Sequence, residues 1–327
     1  MGLTVFEREC KTLAREKQLT IERVSDGSII KRFDLTPFPQ KPEDIVCPHF
    51  LELKWATGCN YNCAWCYLQG TCRMLPYHTK LHEKDRSKVR AHVEALLNHN
   101  GTGAEQPSRN GRELVNSGEL ADSLATERSS EPFSRFIIPL FQRQDHFKLL
   151  MLTKSDYIDN LLDIEGQQST IVSFSVNPPY VSERWEKGAP PPERRLAAAA
   201  QLAAAGYEVR LRIDPIVPVA KWKQRYRGLL QQIFKSFRPE RITLGSLRGL
   251  QSTINNARDK SWTAFLSEQS PWGKRVESGL RLETFAYIIE QLKHEWGYTD
   301  IALCKEPVAM WKGLGLDYKK IRCNCIA

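Results

Sequence analysis

Three thiols stand at the spacing Cys-x3-Cys-x2-Cys in the stretch Cys59-Asn60-Tyr61-Asn62-Cys63-Ala64-Trp65-Cys66-Tyr67-Leu68-Gln69. Thiolates are soft ligands, and several on one short loop can converge on a soft metal centre. Three ligands would leave one iron of a four-iron cluster without a protein thiolate, the open position that a cluster needs to bind and cleave a second molecule. Two other arrangements use Cys72 as a fourth ligand: a zinc site in a nucleic-acid-binding module, or a four-cysteine iron–sulfur electron carrier. Unrelated core cysteines are a further reading, against which stand the polar Asn60 and Asn62 between them.

Such a loop needs a rigid support. The apolar run 51–56 reads as a strand, and Gly58 supplies the turn that lets the cysteines leave its end. Further strand-like runs fall at 112–115, 148–152, 170–176, 208–213, 241–244 and 301–303. Helical patterns fall between them, at 87–99, 132–142, 192–205, 224–237 and 280–296. Pro192 near the start of the alanine-rich run and Gly206 after it mark that helix's ends. Residues 100–111 are rich in Gly, Asn and Ser and read as a surface loop. Strand alternating with helix predicts parallel strands joined by right-handed crossovers, about six or seven units. A partial or full barrel fits, and an open doubly wound sheet is the alternative. No Gly-x-Gly-x-x-Gly follows a strand, so a Rossmann dinucleotide site has no support. Upstream, 5–17 has a helical pattern, Ile21 to Ile30 reads as a hairpin around Asp26-Gly27, and Pro37, Pro39, Pro42 and Pro48 predict an extended arm. The expected division is a lead-in at 1–50 packed on the main domain, the α/β domain at 51–304, and a cysteine-containing tail at 305–327.

Composition sets the outer limits. The chain has 327 residues, 41% of them apolar, enough for a full core. Seven of the nine cysteines cluster at 59–72 and 304–325, which in so large a chain favours metal binding over disulfides. No apolar run reaches the length of a membrane span and no signal-peptide core stands at the start, so a cytoplasmic protein with no membrane partner is expected. Lys and Arg number 47 against 38 Asp and Glu, a net charge of +9, compatible with a polyanionic partner such as nucleic acid.

In parallel barrels the chemistry sits where strands end. After the second main strand stand Asn116-Ser117-Gly118-Glu119, a glycine for close backbone approach and a carboxylate that could answer an ammonium. After the third, Lys154 could meet a carboxylate or simply snorkel beside a helix cap. Ser175 and Asn177 share one side of the fourth, where they could grip hydroxyls or make a turn before Pro178-Pro179. Arg210, Arg212 and Asp214 share one face of the fifth, a costly row unless paired or functional. After the sixth come Gly245 and Arg248, and Cys304 ends the last. Cys323 and Cys325 follow in the tail. The segment Lys221-Trp222-Lys223-Gln224-Arg225-Tyr226-Arg227 alternates cations with aromatics, which suits phosphate contacts and base stacking or an ordinary amphipathic helix start.

The Cys-x3-Cys-x2-Cys spacing, with aromatic Trp65 before the third cysteine, resembles the radical S-adenosylmethionine (SAM) enzymes. The longer string Cys-x3-Cys-x-Trp-Cys-Tyr-Leu-Gln is similar to the spore photoproduct lyase family. The resemblance implies a partial (β/α)6 TIM-like barrel with N- and C-terminal extensions. It implies a 4Fe-4S cluster on Cys59, Cys63 and Cys66, with SAM as cofactor. SAM would contact Trp65, the Ser117-Gly118-Glu119 turn, Lys154, Ser175, Asn177, Arg212 and Asp214. An electron donor such as flavodoxin or ferredoxin is implied as a partner. The reaction would be cleavage of SAM to a 5′-deoxyadenosyl radical that takes hydrogen from substrate, a thymine dimer in DNA for the lyase itself; a substrate other than nucleic acid stays open. Tyr67 matches a tyrosine that in the family helps relay the hydrogen. The family returns hydrogen from a cysteine after the second strand. Residues 115–124 contain none here, and Glu119 stands near its place. Cys304, Cys323 or Cys325 could substitute, or bind a second metal.

Overall fold

The alternating and continuous apolar runs become ten strands of one sheet in a computed structural model that describes residues 2–13, 16–33, 36–74, 80–99 and 112–327. The loop expected at 100–111 lies outside the described residues, apart from which the strand and helix pattern of 51–304 is found close to its expected bounds. The strands are β1 (Val5–Lys11), β2 (Lys17–Val24), β3 (Ile30–Phe33), β4 (Phe50–Leu53), β5 (Glu113–Asn116), β6 (Phe147–Thr153), β7 (Thr170–Ser175), β8 (Glu208–Ile216), β9 (Ile242–Ser246) and β10 (Ile301–Leu303). Their order across the sheet is their order in the chain. From β4 to β10 every neighbouring pair is parallel.

That order corrects the doubly wound alternative. A doubly wound sheet reverses its strand order at one point, and this one does not. Right-handed crossovers that always step the same way leave all the helices on one face. The helices are α1 (Arg86–Leu97), α2 (Phe133–Phe141), α3 (Pro192–Ala204), α4 (Trp222–Ser236) and α5 (Ser278–Trp296). They pack side by side, α1 on α2, α3 on α4, and α4 on α5.

The two faces of the sheet differ because side chains alternate along each strand. Leu149, Met151, Val172, Phe174, Val209, Leu211, Ile213, Ile242 and Leu244 belong to the main core shared with the helices. Each such chain, fully buried, contributes about 1.5–3 kcal/mol. The opposite face carries Ser173, Arg210, Arg212, Asp214, Thr243 and Gly245, and it is the chain's own tail that covers part of it. Asn324 is wholly buried there. Its amide donates to Ser173 Oγ at 2.7 Å and to the Leu211 carbonyl at 2.9 Å, and its Oδ1 accepts from Thr243 Oγ1 at 2.7 Å. Arg210 and Arg241 donate to the carbonyls of Asn324, Cys323 and Ile326. A small apolar cluster of Leu114, Leu150, Leu152 and Ile171 receives Ala327.

The N-terminal segment departs from expectation. Residues 5–13, 16 and 17 are not helical: β1 and β2 form an antiparallel hairpin in which Thr12 N donates to the Glu16 carbonyl. β2 pairs with β3, and β3 with β4, all antiparallel. The segment thus continues the sheet instead of lying on its outside. The apolar residues of β1 fall at positions that suit either period, and its half-exposed burial pattern shows the weak signal of an edge strand. The Asp26-Gly27 hairpin is present, with Gly27 at φ +71°. Among the described residues no helix is long and apolar enough to cross a membrane.

Candidate functional site

The cysteine loop leaves β4 through Ala56–Thr57 and the turn at Gly58. Gly58 has φ +95°, and a Cβ there would lie 2.1 Å from the Lys80 carbonyl oxygen, so only glycine fits. Cys59, Cys63 and Cys66 then line one recess together with Tyr61, Asn62, Leu68 and Gln69. Cys72 is buried and does not line it.

Three sets of contacts hold the loop. Gln69 donates to the carbonyls of Cys63 (2.7 Å) and Ala64 (3.1 Å) and accepts from the Arg258 amide at 3.1 Å. The short helix Leu68–Thr71 packs on the helix Gln251–Asn256 so closely that a Cβ on Gly70 would sit 2.5 Å from the Thr253 nitrogen. The segment Glu186–Lys187 pairs antiparallel with Asn62–Cys63, and Ala64 N donates to the Trp185 carbonyl at 2.7 Å. Trp65 is 9% exposed and packs on Trp185 with ring centres 5.7 Å apart, inside a second apolar cluster. It therefore anchors the loop to the body of the protein.

Beneath Cys63 lies a buried polar network that the sequence did not announce. The Glu186 carboxylate, 0% exposed, accepts from Arg195 Nη1 (2.7 Å), Ser182 Oγ (3.0 Å) and Asn177 Nδ2 (3.1 Å), with Lys154 Nζ at 3.8 Å. Burial works against the Glu186 charge, but Lys154 and Arg195 outweigh it and hold the carboxyl below its ordinary value. Burial likewise opposes the Lys154 charge. Glu186 and the thiols of Cys63 and Cys66 prevail, and its pKa is raised. Lys154 is thus a cation beside the thiol recess. Asn177 is fully buried, with its Oδ1 unpartnered. The signal for Glu186 was its i, i+4 spacing from Ser182; Arg195, set among alanines, pointed nowhere until folded.

Burial pushes the Cys59 thiol up to about 12 and raises Cys63 and Cys66 as well. These thiols are protonated unless a metal takes them, and a bound cation deprotonates a coordinating thiol outright. Among the described residues no three His, Cys, Asp or Glu side chains converge closely enough to hold a single metal ion. Three thiols around a shared recess, with a lysine near and no fourth sulfur, fit a cluster with one unligated iron.

At the end of β5, Ser117 is buried, its hydroxyl bonded with Ser123 Oγ (2.9 Å) and the Leu150 carbonyl (3.1 Å). Its side chain serves the fold. Gly118 is required by packing: a Cβ would lie 2.4 Å from Leu152 Cβ. Glu119 accepts from Asn116 Nδ2 at 3.1 Å and is half-buried. Its charge bears on Tyr67, Glu52, Arg212, Cys47 and Cys325, so it stands between the loop and the tail. Tyr67 is desolvated and faces Glu119 and Glu52, and its pKa is well above the ordinary phenol value. Glu52, on β4, was not singled out from sequence. Burial pushes it up to about 7. Asp122, also missed, accepts from Thr153 Oγ1, the Lys154 amide and the Leu124 amide, and faces Cys59.

On β7 and β8, Ser175 is half-buried and lies beside Arg212 in register. Arg212 Nη2 donates to Cys304 Sγ at 3.4 Å and Nη1 to Cys325 Sγ at 3.8 Å, and Asp214 Oδ2 lies 3.5 Å away. Arg248 grips Asp214 with both nitrogens, at 3.3 and 3.2 Å, and also donates to Cys304 Sγ at 3.4 Å. Gly245 makes room: a Cβ there would meet the Asp214 carboxyl at 2.5 Å. The structure thus joins Arg212, Asp214, Arg248, Cys304 and Cys325 in one cluster. Cys47, unremarked in the sequence, is held beside it because Val46 N donates to the Glu306 carbonyl and Val308 N to that of Asp44.

The basic–aromatic segment is partly engaged by the fold, with the paired cations Lys223 and Arg227 still about half exposed. Lys223 pairs with Glu283 and Arg227 with Glu295, Trp222 packs on Tyr287, and Tyr226 is buried. Arg225 stacks 3.8 Å over exposed Tyr180.

Known proteins are similar to this chain in sequence and in fold. The chain matches the family description "Spore photoproduct lyase" over residues 51–244, more than half its length. It is 28% identical over 201 residues to a spore photoproduct lyase of Bacillus subtilis (strain 168), an overlap of 55% of this chain and 50% of that protein. It is 28% identical over 178 residues to the Geobacillus sp. (strain Y412MC61) spore photoproduct lyase, covering 54% and 49%. The chain therefore spans about half the length of the curated relatives it matches. A solved spore photoproduct lyase complexed with dinucleoside spore photoproduct superposes with TM-score 0.61 at 20% identity, over 77% of this chain and 75% of that one, and so shares the α/β fold with its large, mostly parallel sheet. By its cysteine loop and by the family match across β4 to β9, the chain belongs to the spore photoproduct lyase family of the radical SAM superfamily.

Proposed function

We propose that this protein is a radical SAM enzyme of the spore photoproduct lyase type, acting on a nucleobase lesion in nucleic acid. One observation carries the reading: Cys59, Cys63 and Cys66 line a common recess from which Cys72 is absent. We further infer that the singly wound sheet closes partway into a partial (β/α)6 barrel, with the tail filling its interior and residues 305–327 forming a wall of the site.

When bound, a 4Fe-4S cluster and SAM would supply a 5′-deoxyadenosyl radical, the hard step that the cofactor contributes. The chain's residues do the rest. The three thiols hold the cluster as thiolates. Lys154 supplies positive charge beside them, suited to the carboxylate of SAM, and Glu119 with the Gly118 turn suits its ammonium. Ser175 has its hydroxyl on the site face, and the unpartnered Asn177 Oδ1 is a buried acceptor awaiting a donor. Trp65 braces the loop against the body. The Arg212–Asp214–Arg248 cluster gives the far wall its charge. Tyr67, which faces Glu119, would relay the hydrogen. An S–H bond is weak, so Cys304 or Cys325 would be the thiol to return a hydrogen in place of the cysteine missing after β5, with Cys323 next to Cys325. A flavodoxin- or ferredoxin-class donor would deliver the electron.

The test is anoxic reconstitution followed by assay of 5′-deoxyadenosine with dithionite as reductant. Oligonucleotide carrying the spore photoproduct should raise its yield above the uncoupled rate and be converted. Cys66→Ala should abolish the yield, and Cys72→Ala should leave it intact. Cleavage that proceeds equally with and without lesion, nucleoside or RNA would refute the substrate assignment. No cleavage at all would refute the enzyme.

A further inference from the structure

The tail sequence Cys323-Asn324-Cys325 forms a turn, closed by Ile326 N donating to the Cys323 carbonyl at 3.4 Å. Asn324 pins that turn into the sheet through four hydrogen bonds. The two cysteines that flank it are thereby held one residue apart on a single turn, where each bears on the ionisation of the other. Cys323 is 5% exposed, while Cys325 is half-buried at the open side of the site. A turn brings its ends within about 7 Å, and two cysteines one residue apart inside it come within reach of the roughly 4.4–6.8 Å that a disulfide needs between Cα atoms. The Arg212 guanidinium lies on Cys325, and Glu119 and Lys305 also face it. The guanidinium on Cys325 makes this pair a poor site for a bare cation.

We propose that Cys323 and Cys325 are a redox-active dithiol, with Cys325 the attacking thiol and Cys323 the resolving one, which exchanges with small disulfides of the glutathione class. Cys325 thiolate attacks one sulfur of the disulfide, forming a mixed disulfide and expelling one thiolate. Cys323 gives its proton to that thiolate and attacks Cys325, releasing the second. The net change is one dithiol plus one disulfide to one intramolecular disulfide plus two thiols. The two thiols differ as such exchange requires. The Arg212 guanidinium lies on Cys325 and favours its thiolate, while burial disfavours that of Cys323. The inference does not rest on the radical reaction, and its readout needs no SAM.

The full chain, purified and reconstituted without oxygen, is incubated with glutathione disulfide, alkylated with iodoacetamide and cleaved with trypsin after Arg322. The peptide Cys323–Ala327 should lose both alkylation sites and two hydrogen masses, reversibly with dithiothreitol. Cys323→Ser should instead trap glutathione on Cys325, about tenfold faster than on Cys10. Arg212→Gln should slow that trapping severalfold. A peptide that stays fully alkylated, or trapping on Cys325 no faster than on Cys10, would overturn the proposal. So would loss of iron in Cys325→Ser, since these thiols would then be ligands. The wild-type peptide mass decides even if a variant fails to fold.

Discussion

Replacing Glu186 by Gln tests whether the buried network positions the cysteine loop. The change keeps the shape and one acceptor oxygen but removes the charge. Arg195 is then left fully buried, and Lys154 loses its counter-charge. Removing one partner of a buried ion pair costs about 3–5 kcal/mol, because the other charge stays uncompensated. Ser182 and Asn177 must also share an acceptor where they had two. Glu186 pairs backbone to backbone with Cys63, so the loss falls on the strand that supports the cluster. The assay is urea unfolding at neutral pH together with iron retained per chain after desalting. Exposed Glu183→Gln serves as the control. The expected result is a stability loss of that size, with retained iron falling in step. The sign with pH follows from the lowered pKa of Glu186: its stabilisation is present above the unfolded carboxyl value and lost as pH falls through the lower folded value. The gap between variant and wild type should therefore close in acid. A loss under about 1 kcal/mol, or unfolding without any change in iron at partial denaturation, would refute the argument.

Other perturbations have equally definite outcomes. Glu52 is raised by burial to about 7 from 4.5, so its contribution is full below the unfolded value and lost as pH rises through the folded one. Wild type should lose about 3 kcal/mol across that window, and Glu52→Gln should flatten the slope in pH-dependent urea melts. Gly70→Ala places a methyl against the backbone of Ser252 and Thr253 and should cost about 1–3 kcal/mol, with faster loss of iron on dilution. Asn324→Ala removes the donor to Ser173 and to the Leu211 carbonyl and the acceptor of the Thr243 hydroxyl, and should cost about 2–4 kcal/mol while speeding iodoacetamide labelling of Cys325.

Much of this architecture was written locally. The apolar periods of β6 to β10 and α1 to α5 survive in any window of the chain, because each element must bury a face on the next. The cysteine loop was legible because three ligands fall within eight residues. The alternation of Val209, Leu211 and Ile213 with Arg210, Arg212 and Asp214 correctly marked a strand with one apolar and one polar face. What stayed hidden depends on partners distant in sequence. Asn324 meets Ser173 across 151 positions and Gln69 meets Arg258 across 189. Neither residue type is distinctive alone. Edge strand β1 was misread because one neighbour and half-exposure blur the two-residue period. The cations of α4 suggested phosphate binding, but their carboxylate partners lie on α5.

The account rests on an iron left open beside three protein sulfurs, and electron paramagnetic resonance of the dithionite-reduced, reconstituted protein with and without SAM tests it most directly. A four-iron signal that shifts when SAM is added, and that Cys72→Ala preserves, is the predicted result. A signal indifferent to SAM, or one lost with Cys72, would contradict it.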